Sequence, residues 1–148
     1  MARPFNHIGP GQSERFVISD FAKQVVEIKR SLRPPLIQVG NIDVTRDFTD
    51  VRDVVRAYIL LLQHGRNGEV YNVCSGQERS VRSILEELLR LAGVEAKIVQ
   101  DARRLRKVEQ RRLFGSFAKL RDAADWHPEI PFEQSLRDIL TDWEKKLL

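Results

Sequence analysis

The residues best suited to binding phosphate cluster in RRLRKVEQRR, residues 103–112, where six of the ten residues are basic. Such a cluster could neutralise the backbone of a nucleic acid or face a small anionic substrate. Glu109 interrupts the basic run, and no aromatic side chain alternates with it to stack on bases. Because the rest of the chain is close to neutral, we favour a solvated or substrate-facing loop. A nucleic-acid-binding or interaction module is the alternative.

Other residues that could take part in catalysis or ligand binding lack the neighbouring residues that this chemistry requires. The Gly-x-Gly at 9–11 has no third glycine at the spacing of a dinucleotide-binding loop and no βαβ unit around it, so we predict a tight turn. His7, His64 and His127 lack the spacing of a metal site, so no metal ligands are expected. Cys74 has no neighbouring base and lies in the apolar run VYNVC, which favours a buried, inert thiol.

The composition is typical of a globular protein located in the cytoplasm. Of the 148 residues, 42% are hydrophobic and 31% are charged, and the formal net charge is +4. A single cysteine excludes an intramolecular disulfide and fits a reducing compartment. No apolar stretch approaches the roughly 20 residues that cross a bilayer. Residues 1–12 lack the apolar core of a signal peptide.

Strand-like and helix-like hydrophobic patterns alternate along the chain, which predicts an α/β fold with parallel strands. Expected strands lie at 2–6, 36–40, 44–48, 69–74 and 96–100, and expected helices lie at 15–30, 50–65, 81–93, 116–126 and from about Pro131 onward. We find no internal repeat, low-complexity tract or linker, so residues 1–148 are expected to form one unit.

The helix expected at 50–65 has recognisable start and stop signals. Thr49 or Asp50 is placed to cap its N-terminus, and Gly65 is placed to end it. Its inward face is expected to contain the apolar residues at helical spacing, which are Val51, Val54, Val55, Tyr58, Ile59 and Leu62.

Four phrases in the sequence carry a family resemblance. They are ARPFNHIGPGQ, GNIDVTRDFTDVRDVVRAYILLLQ, GEVYNVCSGQERSVRSILEELL and FGSFAKLRDAADWHPEIPFEQSLRDILTDWE. In this order they resemble the carboxyl-terminal half of the extended short-chain dehydrogenase/reductases, the NAD-dependent epimerase/dehydratase family. The likeness is greatest to GDP-4-keto-6-deoxy-mannose reductases, then to GDP-mannose 4,6-dehydratases. A dehydratase would usually read NHESPRRG where this chain reads NHIGPGQS, which favours a reductase; a dehydratase or a sugar epimerase is the alternative.

The resemblance implies the last strands and helices of a Rossmann-like sheet plus a small substrate-binding subdomain. It also implies that an amino-terminal half carries the NAD(P) site and a catalytic Tyr-x-x-x-Lys pair. Here the residues four places after Tyr58 and Tyr71 are Leu62 and Ser75, so no Lys could lower a tyrosine pKa. We therefore expect residues 1–148 to be the carboxyl-terminal half alone, with no catalytic residue and no cofactor of its own. NAD(P) is expected for the complete enzyme.

The resemblance further implies which residues hold a GDP-sugar or related nucleotide sugar. Asn6 matches an asparagine that contacts the sugar diphosphate, or else it only forms a turn. Arg46 matches an arginine that reaches the phosphates or ribose, where a planar guanidinium binds oxygens in pairs; a surface ion pair is the alternative. In LRKVEQ, Arg106 would grip the diphosphate and Glu109 would accept bonds from ribose hydroxyls, although Lys107 replaces the family's usual proline.

The start of the first helix is implied to meet the nucleoside. Phe16 and Val17 match positions that pack against the base, and membership of the helix core is the alternative. Asp20 stands where the family has a basic residue, which leaves the identity of the base open. Without a partner the first strand would have an open edge, so we expect either a homo-oligomer or association with an amino-terminal Rossmann half.

Overall fold

The computed structural model describes residues 1–105 and 110–148. The strands are β1 (Ala2–Pro4), β2 (Asn6–Ile8), β3 (Leu36–Val39), β4 (Thr45–Asp50), β5 (Tyr71–Val73), β6 (Glu78–Ser80), β7 (Lys97–Gln100) and β8 (Arg112–Leu113). The α-helices are α1 (Val17–Lys29), α2 (Val51–His64), α3 (Val81–Ala92), α4 (Ala118–Ala124) and α5 (Phe132–Lys146). Every expected helix and strand is present. β2, β6 and β8 were not predicted, because strands of two or three residues are too short to show an alternating pattern; the expected strand at 2–6 is β1, and β2 begins at its last residue.

Most strand pairs are parallel, which confirms the predicted α/β class. β1 pairs in parallel with β5, and β3 pairs in parallel with β7. β2 pairs in parallel with the second half of β4, so that Asn6 lies opposite Phe48. The first half of β4 pairs antiparallel with β6 and parallel with β8. β4 therefore links the strands that surround the site described below.

The larger of two apolar cores lies among α1, α3 and α5 and the strands beside them. It buries Phe21 from α1, Leu85 from α3 and Ile139 from α5. Hydrophobic spacing predicted an inward face for each of these three helices. These faces are largely buried, because the three helices pack against one another. This core holds α1 rigidly, and α1 contributes one wall of the site.

The smaller core shows that the predicted inward face of α2 was partly wrong. Val54 and Ala57 are buried against α4 and β5, with Trp126 completing the core. The residues predicted to face inward that are instead exposed are Val55 (50%), Tyr58 (39%), Ile59 (52%) and Leu62 (88%). The physical reason is that α2 is apolar on two sides, and periodicity alone does not tell which side packs.

Aspartates three residues apart brace the junction between β4 and α2. Asp47, Asp50 and Asp53 are 0%, 4% and 2% exposed, yet both carboxylate oxygens of each accept hydrogen bonds. Asp47 accepts from the backbone and hydroxyl of residues 75–76. Asp53 accepts from the backbone N–H groups of residues 129–130, each at 3.0 Å. These carboxylates tie distant loops to the junction.

Asp50 caps the N-terminus of α2, which confirms one of the two predicted capping residues, Thr49 or Asp50. Its Oδ1 accepts from Arg52 N at 2.9 Å and from Arg52 Nε at 2.8 Å, and its Oδ2 accepts from Ser135 Oγ at 2.6 Å. Burial raises the pKa of Asp50, but the hydrogen bonds from Arg52 and Ser135 outweigh burial and hold that pKa below its ordinary value. Gly65 ends the helix, as predicted.

The segment 9–11 is a tight turn, as predicted. Gly11 has φ of 84°, and Gln12 N donates to Gly9 O at 3.4 Å across the turn, which has Pro10 at its second position. Cys74 is buried, also as predicted, and burial together with the nearby charge of Asp47 raises its pKa to about 12. Over the described ranges, none of the helices is both long and apolar enough to span a bilayer.

Candidate functional site

A cavity of about 540 Å³ opens between the start of α1, the end of β3 and the strands β2 and β4. Its walls include Asn6, Gln12, Phe16, Val17, Asp20, Asn41, Ile42, Arg46, Phe48 and Arg104. This volume falls in the range of roughly 300–1,000 Å³ that is typical of small-molecule sites. Of the six predicted site residues, the structure brings Asn6, Phe16, Val17 and Arg46 to this one cavity. Arg106 and Glu109 lie outside the described residues.

Two amide side chains in the cavity carry buried atoms with unmet hydrogen-bonding capacity. Asn6 Nδ2 is a buried donor and Gln12 Oε1 is a buried acceptor, and neither has a partner within the described ranges. The other end of the Gln12 side chain is fixed, since its Nε2 donates to His7 O at 3.0 Å. A buried polar atom without a partner costs free energy. A ligand bearing both acceptors and donors would satisfy both amides.

The loop that carries Gln12 is held firmly against two helices. Ser19 Oγ donates to Gln12 O at 2.7 Å and accepts from Trp143 Nε1 at 3.0 Å. Gly11 N donates to Asp142 Oδ2 at 2.8 Å. These bonds link the loop to α1 and α5, so the position of Gln12 is set before any ligand arrives.

The described charged side chains of the cavity comprise one more cation than anions. Among its described walls are the cations Arg15, Arg46 and Arg104 and the anions Glu14 and Asp20. Arg46 lies on β4 opposite Arg79 of β6 and Leu113 of β8, and its Nη1 donates to Thr45 O at 2.7 Å. The strand pairs around Arg46 set the position of its backbone at the cavity wall.

The start of α1 gives the cavity an apolar wall. Phe16 and Val17 are 57% and 40% exposed although they begin an otherwise buried helix. Phe16 occupies the N-cap position without a side-chain hydrogen bond, so its side chain does not shield the first N–H groups of α1. The alternative that Phe16 and Val17 belong to the helix core does not fit their exposure. Their contact with a base stays a prediction.

Arg104 and Asn41 line the cavity but were not among the predicted site residues, although the basic run that contains Arg104 was predicted to form a solvated or substrate-facing loop. Arg104 comes from the 3-10 turn at 102–104 that follows β7. Its backbone approaches β3 closely, because a Cβ placed on Gly40 would lie only 2.6 Å from Arg104 O. The available signal was the position of Gly40 and Asn41 just beyond a parallel strand, where ligands commonly bind in α/β proteins.

The basic stretch is largely engaged with carboxylates where the structure describes it. Arg103 Nη2 lies 2.9 Å from Asp101 Oδ2, and Arg112 Nη2 lies 2.7 Å from Glu78 Oε2. Arg104 is also paired, as described below. These pairs leave less positive charge for a polyanion, which favours the substrate-facing loop over the nucleic-acid alternative.

The two tyrosines occupy structural and surface positions rather than the cavity. Tyr71 is buried, and its hydroxyl accepts from Arg66 N at 3.1 Å. Tyr58 lies on the exposed side of α2. Within residues 1–105 and 110–148, no three His, Cys, Asp or Glu side chains lie close enough to hold a metal ion.

Comparison with known proteins gives a consistent set of relatives. The sequence model of the GDP-mannose 4,6 dehydratase family matches residues 1–139. The chain is 54% identical over 147 residues to the GDP-6-deoxy-D-mannose reductase of Pseudomonas aeruginosa, covering 99% of this chain and 48% of that protein. It is 29% identical to GDP-mannose 4,6 dehydratase 1 of Arabidopsis thaliana, covering 93% of this chain and 38% of that protein.

A solved structure shares the fold of the chain. The structure of RMD from Pseudomonas aeruginosa complexed with NADPH superposes with a TM-score of 0.93 at 55% identity, covering 98% of this chain and 48% of that one. A putative epimerase from Burkholderia cenocepacia has a TM-score of 0.84 at 39% identity, covering 97% of this chain and 46% of that one. The chain thus spans about half the length of the reductase and of these solved structures.

Proposed function

The chain belongs to the GDP-mannose 4,6 dehydratase family, and from that membership we propose that it is the nucleotide-sugar-binding half of an NAD(P)-dependent reductase. The substrate class is a GDP-4-keto-6-deoxy-mannose type sugar nucleotide. The observation that carries the proposal is Asn6 Nδ2, a buried donor without a partner among the described residues, on a side chain that lines the cavity of about 540 Å³ together with arginines. A pyrophosphate supplies the acceptor oxygens that such donors require.

Each predicted residue has a defined role in this proposal. Asn6 donates to a sugar-diphosphate oxygen, and Arg46 offers a planar cation to the phosphates or the ribose. Phe16 and Val17 provide the apolar surface against which the base packs. By resemblance alone, Arg106 grips the diphosphate and Glu109 accepts bonds from ribose hydroxyls. Gln12 and Arg104 extend the set, since both line the same cavity.

A reductase is favoured over a dehydratase on two grounds. The loop after Asn6 reads HIGPGQS rather than the HESPRRG typical of a dehydratase. The relative with 54% identity is a GDP-6-deoxy-D-mannose reductase, whereas the Arabidopsis dehydratase is 29% identical. The family model itself is named for the dehydratase, so it does not separate the two reactions.

The turn at 9–11 does not fit the pyrophosphate of a dinucleotide. Gly11 N is already engaged with the carboxylate of Asp142, and that negative charge would repel a phosphate at the same place. We therefore propose that NAD(P) and the Tyr-x-x-x-Lys pair belong to an amino-terminal half. This chain would hold and orient the sugar nucleotide, and the other half would supply the hydride chemistry.

The same proposal assigns a partner to the exposed side of α2. Ile59 and Leu62 are 52% and 88% exposed beside the smaller core. Within the described ranges β1 is paired only with β5, which leaves its other edge open. The relatives are about twice as long as this chain, and the additional length matches an amino-terminal Rossmann half. Such a half would pair with the open edge of β1 and cover α2. A stable monodisperse monomer in light scattering would contradict this partner assignment.

Isothermal titration of the 148-residue chain with GDP and with NADPH tests the proposed function. GDP should bind in the micromolar range or more weakly, because the proposed amino-terminal half is absent from these 148 residues, and NADPH should not bind. Tight NADPH binding, or turnover of a reduced nicotinamide with a keto-sugar nucleotide, would refute the proposal. An oligonucleotide whose binding collapses steeply with salt would instead revive the nucleic-acid alternative.

A further inference from the structure

An ion pair spans the rim of the cavity next to its apolar wall. Arg104 Nη1 lies 2.6 Å from Asp20 Oδ2, with side-chain exposures of 37% and 16%. Both residues line the cavity. Asp20 stands four residues after Phe16 on α1, and Asp20 N donates to Phe16 O at 2.9 Å. Phe16 is the N-cap residue of α1 and Asp20 lies in its first turn, and both line the cavity. A planar group packed on Phe16 would lie in the same part of the cavity as Asp20.

A buried glutamine holds Asp20 in place. Gln24 is 2% exposed, and its Nε2 donates to Asp20 Oδ2 at 2.8 Å and to Gln38 O at 3.1 Å. Its Oε1 accepts from Gln38 N at 2.9 Å. Both N–H groups of this amide and its oxygen are thus engaged, and they connect Asp20 to β3.

The two donors that reach Asp20 leave half of its carboxylate available. Gln24 and Arg104 both bond to Oδ2, and no described residue donates to Oδ1. A carboxylate oxygen accepts about two hydrogen bonds. Oδ1 can therefore accept from a ligand without disturbing the pair. The Arg104 guanidinium has five N–H donors, of which the bond to Asp20 uses one.

We propose that the Asp20–Arg104 pair reads the edge of the nucleoside base and selects guanine. Asp20 Oδ1 accepts from the N1–H and N2–H groups of the base, and Arg104 donates to its O6 oxygen. This inference rests on the proposed function, because it concerns the base of the nucleotide sugar bound there. It also assigns a role to Asp20, an acidic residue at a position where the family resemblance implies a basic one.

The edges of the other bases complement this pair less well. Uracil offers one N–H between two oxygens, so it makes one hydrogen bond fewer with Asp20. Adenine places a ring nitrogen acceptor where guanine has N1–H, and this acceptor would face the carboxylate. Hypoxanthine lacks only the N2 amino group, so it isolates that single contact. The expected order of affinity is guanine first, hypoxanthine and uracil next, and adenine last.

Titration calorimetry with GDP, IDP, UDP and ADP tests the proposal on the full chain and on two variants. In D20N the single side-chain oxygen is drawn toward the Gln24 and Arg104 donors, so the amide N–H groups turn toward the donors of the base. The matched control is D122N, which removes an equivalent charge from an exposed Arg121 pair outside the cavity. Circular dichroism melts check that D20N is folded.

Wild type and D122N should bind GDP about tenfold more tightly than IDP, as one charge-assisted hydrogen bond implies. In D20N the GDP-to-IDP ratio should fall to about one, with GDP weakened at least tenfold. The comparison of GDP with IDP uses only the wild-type protein, so misfolding of a variant cannot affect it. Equal binding of all four diphosphates by wild type would overturn base reading while leaving the pyrophosphate site intact. Binding of none would overturn both proposals.

Discussion

Two neighbouring regions of this protein differ in whether their buried polar side chains have hydrogen-bond partners within the protein. At the β4–α2 junction, Asp47, Asp50 and Asp53 use both carboxylate oxygens in hydrogen bonds to the protein itself. In the cavity, Asn6 and Gln12 each keep a buried atom without a partner within the described ranges. The three carboxylates of the junction are thus satisfied by the protein itself, whereas the two amides of the cavity each keep an atom that a ligand could satisfy.

This difference separates residues that hold the fold from residues that hold a ligand. A satisfied buried carboxylate is costly to remove, because its donors lose their partner. An unsatisfied amide is costly to keep, and it is retained where a ligand supplies the missing bond. Thr49 Oγ1 at the junction is a third buried atom without a partner among the described residues. The predictions below test whether the two regions differ in this way.

The largest expected effect is on the stability of the junction. D53A should lower the free energy of unfolding by about 2 kcal/mol, since it removes the acceptor of the Glu129 and Ile130 backbone N–H groups and one of the partners of Arg56. Urea denaturation followed by circular dichroism measures the change. The exposed control D122N should stay within about 0.5 kcal/mol of wild type. A similarly small effect of D53A would show that the junction is not braced by this carboxylate.

The next effect is a pH dependence carried by Asp50. Its pKa is lower in the folded state than its ordinary value, because hydrogen bonds from Arg52 and Ser135 outweigh burial. A carboxyl group whose pKa is lowered on folding contributes its full stabilisation when the pH is above its pKa in the unfolded chain, about 3.9. That stabilisation is lost as the pH falls through the pKa of the folded state. The urea midpoint of wild type should therefore drop below about pH 4. The drop should be smaller in D50N, and equal slopes in the two proteins would contradict the assignment.

A change in the cavity should alter binding and leave stability almost unchanged. N6A removes a donor that has no described partner, so unfolding should change by no more than about 0.5 kcal/mol. GDP affinity should fall about tenfold through the lost charge-assisted bond. N6D, which also places a negative charge near the diphosphate, should bind more weakly than N6A. The exposed N67A serves as the control, and a loss of stability in N6A without a loss of binding would reverse the comparison.

The smallest effect is expected at the exposed side of α2. The double variant I59S/L62S should unfold within about 0.5 kcal/mol of wild type, because both side chains are exposed in the described fold. Light scattering should show less self-association of this variant, since it has lost apolar surface. Strong destabilisation would mean that this side of α2 is already packed in the isolated chain.

Local signals in the sequence predicted most of the fold. The helix spans, the cap at Asp50 and the turn at 9–11 depend on residues close in sequence, which is why patterns reveal them. The packed face of α2 was not predictable in the same way, because the helix is apolar on two sides and the choice depends on neighbouring elements. The family resemblance indicated Asn6 and Arg46, while Gln12 carried no distinctive local pattern and Arg104 was one of several arginines in the basic run 103–112.

What the amino-acid sequence alone determined is the alternation of strands and helices, the family, and the absence of a Tyr-x-x-x-Lys pair from these 148 residues. The tertiary structure decided which polar groups meet. Asp20 and Arg104 are 84 residues apart in the chain and 2.6 Å apart in the cavity. The physical reason is that helix and turn signals act over a few residues, whereas a hydrogen bond across a cavity depends on how whole elements pack.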